Sequence, residues 1–204
     1  MIHSKKTKSS FSLRGNKTKQ GFLLIYLLIW NCAGGAYQDM AIEDPARLIS
    51  LEDSLSRSDL SESTIGSLAL AHKTLGEKAM VAGKYETARD HFSKTLNLSP
   101  KDTMATFNHF LVQGHILYKS GKKDNLWDAI QVYHRAATII EGSGEPHYHI
   151  ARAYHKIGDK DFDLIIESYD RALGLELKPE LRELASRARS EAADRDNRLK
   201  DFWK

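Results

Sequence analysis

Beyond Ser63 the apolar residues of this chain return every three or four positions, with polar residues between them. Glycine or proline interrupts the pattern at the spacing of a helical hairpin. A three-to-four recurrence is one face of an α-helix, and no stretch alternates as a half-buried strand would, so the pattern predicts an all-α body. The stretch "LGEKAMVAGKYETARDHFSKTLNLSP", residues 75 to 100, shows the unit most fully. Leu75 and Gly76 sit in a first helix that Gly83 ends. Tyr85 opens a second, Ala88 and Phe92 stand one turn apart in it, and Pro100 stops it.

The unit recurs. Gly83, Gly121 and Gly158 are spaced by 38 and 37 residues, each closing a predicted first helix. In the second unit Gly114 stands where Gly76 stood, Ala129 where Ala88 stood and Tyr133 where Phe92 stood, with Ala136 three later and three extra residues in the "KKDNLW" turn. In the third, Ala151, Tyr154, Gly158, Tyr169 and Ala172 hold the pattern, and Ile165 takes a place where a small residue is expected, which predicts a looser helix contact. Longer turns are tolerated because loop-closure entropy grows slowly with length.

These residues resemble the tetratricopeptide repeat, over about 69–102, 103–143 and 146–178. The resemblance implies that Gly76 and Ala88 are small so that antiparallel helices approach closely, and that Phe92 fills the space between hairpins. It further implies a right-handed α-solenoid of three hairpins, spanning 64–178, whose first helices line a concave groove that holds a peptide or partner protein. After it, residues 179–204 form one amphipathic helix with Leu181, Leu184, Ala185, Ala188 and Ala192 on its apolar face, as a cap on the last repeat requires. Phe202 and Trp203 at its tip are expected to fold back onto that repeat; the alternative is an exposed contact.

Residues 37–63 read as a polar linker with a short helix at "DPARLISLEDSL", capped by Asp44, with Pro45 in the first turn and a stripe of Leu48, Leu51 and Leu55; it is either a tether with a small docking helix or a flexible linker. Residues 1–36 read as an export signal or N-terminal membrane anchor. Six basic residues and no acid precede the apolar run "GFLLIYLLIW", which is short for a bilayer span but has the length of a secretory apolar region. Cys32, the sole cysteine, ends that run and is followed by Ala33, Gly34 and Gly35, which resembles a bacterial lipoprotein signal. Trp30 and Asn31 depart from the small residues that signal favours before its cysteine. Three fates stand open: lipidation at Cys32, cleavage after Ala36, or an uncleaved anchor. All place the body in the cell envelope, facing the periplasm or exterior, or secreted.

Charge follows from this division. The chain has 30 Lys plus Arg and 27 Asp plus Glu; without the six leader cations the balance becomes 24 to 27, so the basic whole-chain value is no nucleic-acid signature. Metal and catalytic patterns are absent from the sequence. The alternating Asp159, Asp161 and Asp163 lack the glycine that a calcium loop needs at its sixth place, where Leu164 stands. His147 and His149 are two apart and point to different helix faces. No carboxylate is expected to pair in an apolar setting that would shift its pKa for acid–base work, and neither an enzyme nor a cofactor is expected.

What remains is the groove. First-helix positions facing away from the partner helix are Lys73, Glu77 and Met80 in the first unit; Asn108, Leu111, His115, Tyr118 and Lys119 in the second; Tyr148, Arg152, His155 and Lys156 in the third. Aromatics and cations dominate the last two sets, which suits a peptide bearing acidic groups. Family members that clamp a C-terminal carboxylate carry Asn one turn after the first-unit Lys; Glu77 stands there. The reading is a binding scaffold of the envelope, similar to small repeat lipoproteins that assist assembly of envelope machines. The alternative is a self-associating structural protein. The sequence leaves oligomeric state open.

Overall fold

The computed structural model describes residues 35–55, 60–158 and 161–203. Cys32 and the segment expected to be an export signal or anchor lie, but for residues 35 and 36, outside these residues. Ten helices run through the described residues: α1 (35–43), α2 (Pro45–Ser50), α3 (Glu52–Leu55), α4 (Glu62–Val81), α5 (Tyr85–Leu98), α6 (Thr103–Ser120), α7 (Lys123–Ile139), α8 (Glu145–Ile157), α9 (Phe162–Gly174) and α10 (Pro179–Phe202). From α4 to α10 each helix packs chiefly on its neighbours in sequence, with only slight contacts between α4 and α6 and between α8 and α10. Packing of this kind, chiefly between sequence neighbours, is what defines an all-α solenoid.

Gly83, Gly121 and Gly158 are the positive-φ residues among those described. Gly83 has φ of 70°, its N–H donates to the Met80 carbonyl, and the Lys84 N–H donates back to the Ala79 carbonyl. This paired closure satisfies the last carbonyls of α4 and turns the chain at a conformation that a side chain would strain. The helix starts are equally local. Ser61 accepts from the Thr64 N–H, and Asp102 accepts from the Ala105 N–H at 2.9 Å.

Helix crossings follow the small residues. A Cβ on Gly76 would stand 2.9 Å from the Phe92 ring, and one on Gly114 would collide with the Tyr133 ring. Each aromatic therefore occupies the space a side chain at the glycine would need, and Phe92 and Tyr133 are both fully buried. In the third hairpin Ala151 occupies the glycine's place and Ile165 the small residue's; both are fully buried beside Tyr169. Between the second and third units the loops join: the Gly144 N–H donates to the Glu176 carbonyl at 2.8 Å, and the Glu176 N–H to that of Gly142 at 2.9 Å. This is a parallel bridge between Ser143 and Glu176.

The structure departs from the sequence reading at both ends. Residues 37–55 do not run free as a linker. Ala41 and Leu48 are fully buried against Leu68 and Ala71 of α4, with Tyr37, Met40, Ile49 and Leu55 around them. Leu51 does not share the stripe: α2 ends there, the chain turns, and its side chain is exposed. At the other end Phe202 and Trp203 do not fold back, being 78% and 81% exposed. The reason is length. At about 1.5 Å per residue, α10 is roughly 36 Å long against about 20 Å for α9, so its last turns pass beyond the hairpin they would need to cover. Leu184 also leaves the expected apolar face, at 40% exposed, while Ala185 and Ala192 alone are fully buried there.

Candidate functional site

Counted from the small residue at each crossing, Gly76, Gly114 and Ala151, the predicted groove residues fall into equivalent sets. Glu77, His115 and Arg152 are one residue later; Met80, Tyr118 and His155 four later; Lys119 and Lys156 five later. Lys73, Leu111 and Tyr148 are three earlier. All three of the earlier set lie on the same angular face, one turn nearer the helix N-terminus. There the next unit covers them. Lys73 bonds to Asp102, the cap of α6, at 2.8 Å. Leu111 is fully buried in a cluster with Ile150 and Ala153 of α8, and Tyr148 is 6% exposed in one with Ala185 of α10. Leu111 and Tyr148 are thus core residues first, and Lys73 is an ion-pair partner.

The later sets line a trench. A cavity of about 610 Å³ takes Met80, His115, Tyr118, Lys119, Arg152 and Lys156 into its wall. A second of about 310 Å³ shares Tyr118, Arg152 and Lys156 and adds Tyr148 and His155. A third of about 490 Å³ shares Met80 and takes in Asn108, beside Met104, Phe107 and Ile140. Glu77 is exposed and lines none of these three.

Tyr118 is the centre of the cationic part. The Arg152 guanidinium lies 4.9 Å from its ring centroid and the Lys156 ammonium 4.4 Å, and Lys156 also donates to the Tyr118 carbonyl at 3.1 Å. Arg152 further lies 5.6 Å from the Tyr148 ring. Neither cation makes an ion pair with a described residue. Two cations steered by a π-face and left without a carboxylate form an anion-receptive wall, with Arg152 supplying a planar fork. His155 is engaged otherwise, 3.2 Å from an Arg195 guanidinium nitrogen, whose charge its Nε2 lone pair faces.

Running inward from the trench wall is a polar stack of which only His115 belongs to the sequence-predicted groove. The His115 Nδ1 is 2.8 Å from the Tyr133 hydroxyl, His149 stacks on the Tyr133 ring at 5.2 Å, and the two imidazoles meet edge to face at 4.5 Å. Burial holds His115 neutral, lowering its pKa to about 3, and pushes the Tyr133 phenol well above its ordinary value. Glu145, at the start of α8, is a paired and largely covered carboxylate. Burial alone would raise its pKa, but His149 and Lys178 outweigh that and hold it at about 2. Lys178 is 3.1 Å away and supplies the charge; His149, kept neutral by burial, offers a dipole at 3.9 Å, too long for a hydrogen bond.

Several lining residues were absent from the sequence-predicted set. Val81, 88% exposed, stands five after Gly76 and is the first-unit equivalent of Lys119 and Lys156, so the repeat register alone could have named it. Lys178, Glu180, Leu181, Leu184 and Arg187 come from α10 and the loop before it, where no repeat register applies. No described group of three or more His, Cys, Asp or Glu is arranged to hold a metal, and no described helix is long and apolar enough to cross a membrane. Asp161 stands at the N-cap position of α9 without a side-chain capping bond, and Asp163 lies in its first turn; Asp159 is outside the described residues.

No family model matches the sequence, and no curated protein does. A solved structure titled "MamA RS-1 ArsTM double mutant" is similar in fold at a TM-score of 0.46, with 15% identity, over 82% of this chain and 97% of that one.

Proposed function

We propose that this protein is a non-enzymatic scaffold that holds an extended acidic segment of a partner protein in the trench formed by α4, α6, α8 and α10. One observation carries the reading: Arg152 and Lys156 are fixed around Tyr118 on an open concave wall and have no carboxylate of their own. A carboxylate arriving there meets charges already oriented, so less ordering entropy is lost on binding. The sequence-predicted leader would hold this groove at a membrane surface of the envelope and raise its effective concentration for partners there, as an assembly factor requires.

The test is fluorescence anisotropy of the full-length chain with labelled decapeptides, one rich in Glu and Asp and one with each acid replaced by its amide. The acidic peptide is expected to bind with marked salt dependence, and Arg152→Glu with Lys156→Glu to abolish it. Equal binding of both peptides would overturn the reading. A second reading has its own support in the exposed Phe202 and Trp203, whose rings pack edge to face 5.4 Å apart at the overhanging end of α10. Such a tip fits self-association, and light scattering of Trp203→Ser against the unaltered chain separates the two.

A further inference from the structure

The cavity of about 490 Å³ opens beside the trench, between α4, α6 and the loops that follow α7 and α9. Its walls are mainly apolar: Met80 from α4, Met104 and Phe107 from α6, and Ile140 and Leu177 from the loops. The loop side is braced, because Gly142, Gly144 and Glu176 share the two backbone bonds that join the second and third units. A cleft of this size, lined by carbon and braced by its own backbone, is shaped before a ligand arrives.

One polar side chain stands among this carbon. Asn108 follows Met104 and Phe107 on the same face of α6, is 7% exposed, and makes no side-chain hydrogen bond to a described residue. Thr64, Ser67 and Thr95, buried to a similar degree, each bond to a neighbour. Neither amide atom of Asn108 is sealed off, so what remains of its exposure lies at the amide, open to the cleft. An amide offers a donor and an acceptor together, which is the complement of a peptide group. A pure hydrocarbon ligand would cover both without pairing them; a peptide whose side chain enters the cleft pairs both through its own backbone.

We propose that this cleft seats a large apolar side chain, of the leucine kind, from the same partner segment whose acids meet Arg152 and Lys156, with Asn108 bonding to the segment's backbone beside that side chain. The inference rests on the acidic-segment reading and adds the second half of the recognised motif. Continuity and charge carry it. Met80, Glu145 and Lys178 line both this cleft and the cavity of about 610 Å³ whose wall holds Arg152 and Lys156, so one extended chain lies across the two. Glu145 and Lys178, 3.1 Å apart, stand at the junction and neutralise each other, whereas Arg152 and Lys156 keep their charge. Acids are thus drawn to one end of the path, and the apolar residue is left to the other.

Fluorescence anisotropy on the full-length chain tests this with acidic decapeptides in which one leucine is walked along the sequence. Each has a control with serine at that place, and each pair is repeated with amides in place of the acids. In at least one register leucine is expected to bind roughly tenfold or more tighter than serine. Asn108→Leu is expected to weaken that leucine peptide roughly three- to tenfold, and Met104→Ser, at an exposed position, to narrow its advantage. Nitrogen NMR gives a second reading: the side-chain amide signal of Asn108, identified by its loss in Asn108→Leu, should move with the leucine peptide and stay in place with its serine control. Equal affinity of leucine and serine in every register, with binding still dependent on the acids, overturns this inference and leaves the acidic-segment reading standing. A leucine advantage with an unmoved Asn108 signal also overturns it, since the side chain then sits elsewhere in the trench. A leucine advantage with no preference for acids overturns the acidic-segment reading and the two-part motif with it.

Discussion

The first and third hairpins offer the same first-helix face to the trench and use it differently. In the first, Lys73 is neutralised by Asp102, Glu77 stands exposed outside the cavities and Val81 is bare. In the third, Tyr148 is packed away while Arg152 and Lys156 stand on the Tyr118 ring with no acid partner. The repeat thus fixes where a side chain points, and the following unit decides whether it remains available. Height along the helix matters as much as face. Residues three before the crossing are covered by the next layer, while those four and five after it, and Arg152 one after, reach the trench.

The largest expected effect breaks this distinction at Tyr148. If it is core, Tyr148→Ala leaves a cavity under α10 and lowers unfolding stability by about 3–5 kcal/mol in a denaturant titration. Tyr118→Ala, at the trench surface, should cost about 1 kcal/mol or less and instead weaken acidic-peptide binding. Similar stability losses for the two would erase the contrast between layers.

Next in size is the response to acid. His115 and His147 have pKa values lowered to about 3 and about 4 by burial first, and by neighbouring positive groups, and their unfolded values are near 6.5. A depressed folded value means that the unfolded chain binds the proton first, so the stability is complete above about pH 6.5 and drains as pH falls toward the folded values. Each such histidine contributes at most about 1.4 kcal/mol per pH unit across that window. Glu145 does not offset this, since its pKa near 2 keeps it ionised throughout. Thermal melts should therefore fall in midpoint between about pH 6.5 and 4.5, and His115→Gln should flatten the slope. A flat profile would mean that the stack beneath the trench is wet.

The all-α hairpins were legible because each signal is local. Gly83 and Gly121 supply positive φ at helix ends, and Gly76 and Gly114 lie against an aromatic ring from the next helix of the same hairpin. The trench was only partly legible. Helical periodicity gives an angle around the helix, so Leu111 and Tyr148 looked equivalent to Arg152 although the next layer buries them. Lys178 and Arg187 enter from a helix outside the repeat, and the Glu145–Lys178 pair spans two loops, neither of which periodicity describes. The arm was legible only as a choice between a docking helix and a flexible linker, because Leu48 and Ala41 are buried by tertiary contact with α4 while the composition around them is polar.

The comparison sharpens most cheaply through charge. Arg152→Glu is expected to reduce acidic-peptide affinity by about 10- to 100-fold, with unfolding stability changed by no more than about 0.5 kcal/mol, because no described acid loses a partner. Lys73→Met should do the reverse and modestly. It leaves Asp102 without its 2.8 Å ammonium, and the Asp102 pKa, held down by Lys73 and by the α6 backbone N–H groups against the effect of burial, should rise. Both side chains of that pair keep partial contact with water, at 26% and 19% exposure, so the stability cost is about 1 kcal/mol or less. Peptide affinity should be unchanged. An affinity loss at Lys73 equal to that at Arg152 would show that the first hairpin belongs to the binding wall after all, and that Asp102 yields its lysine when a ligand arrives.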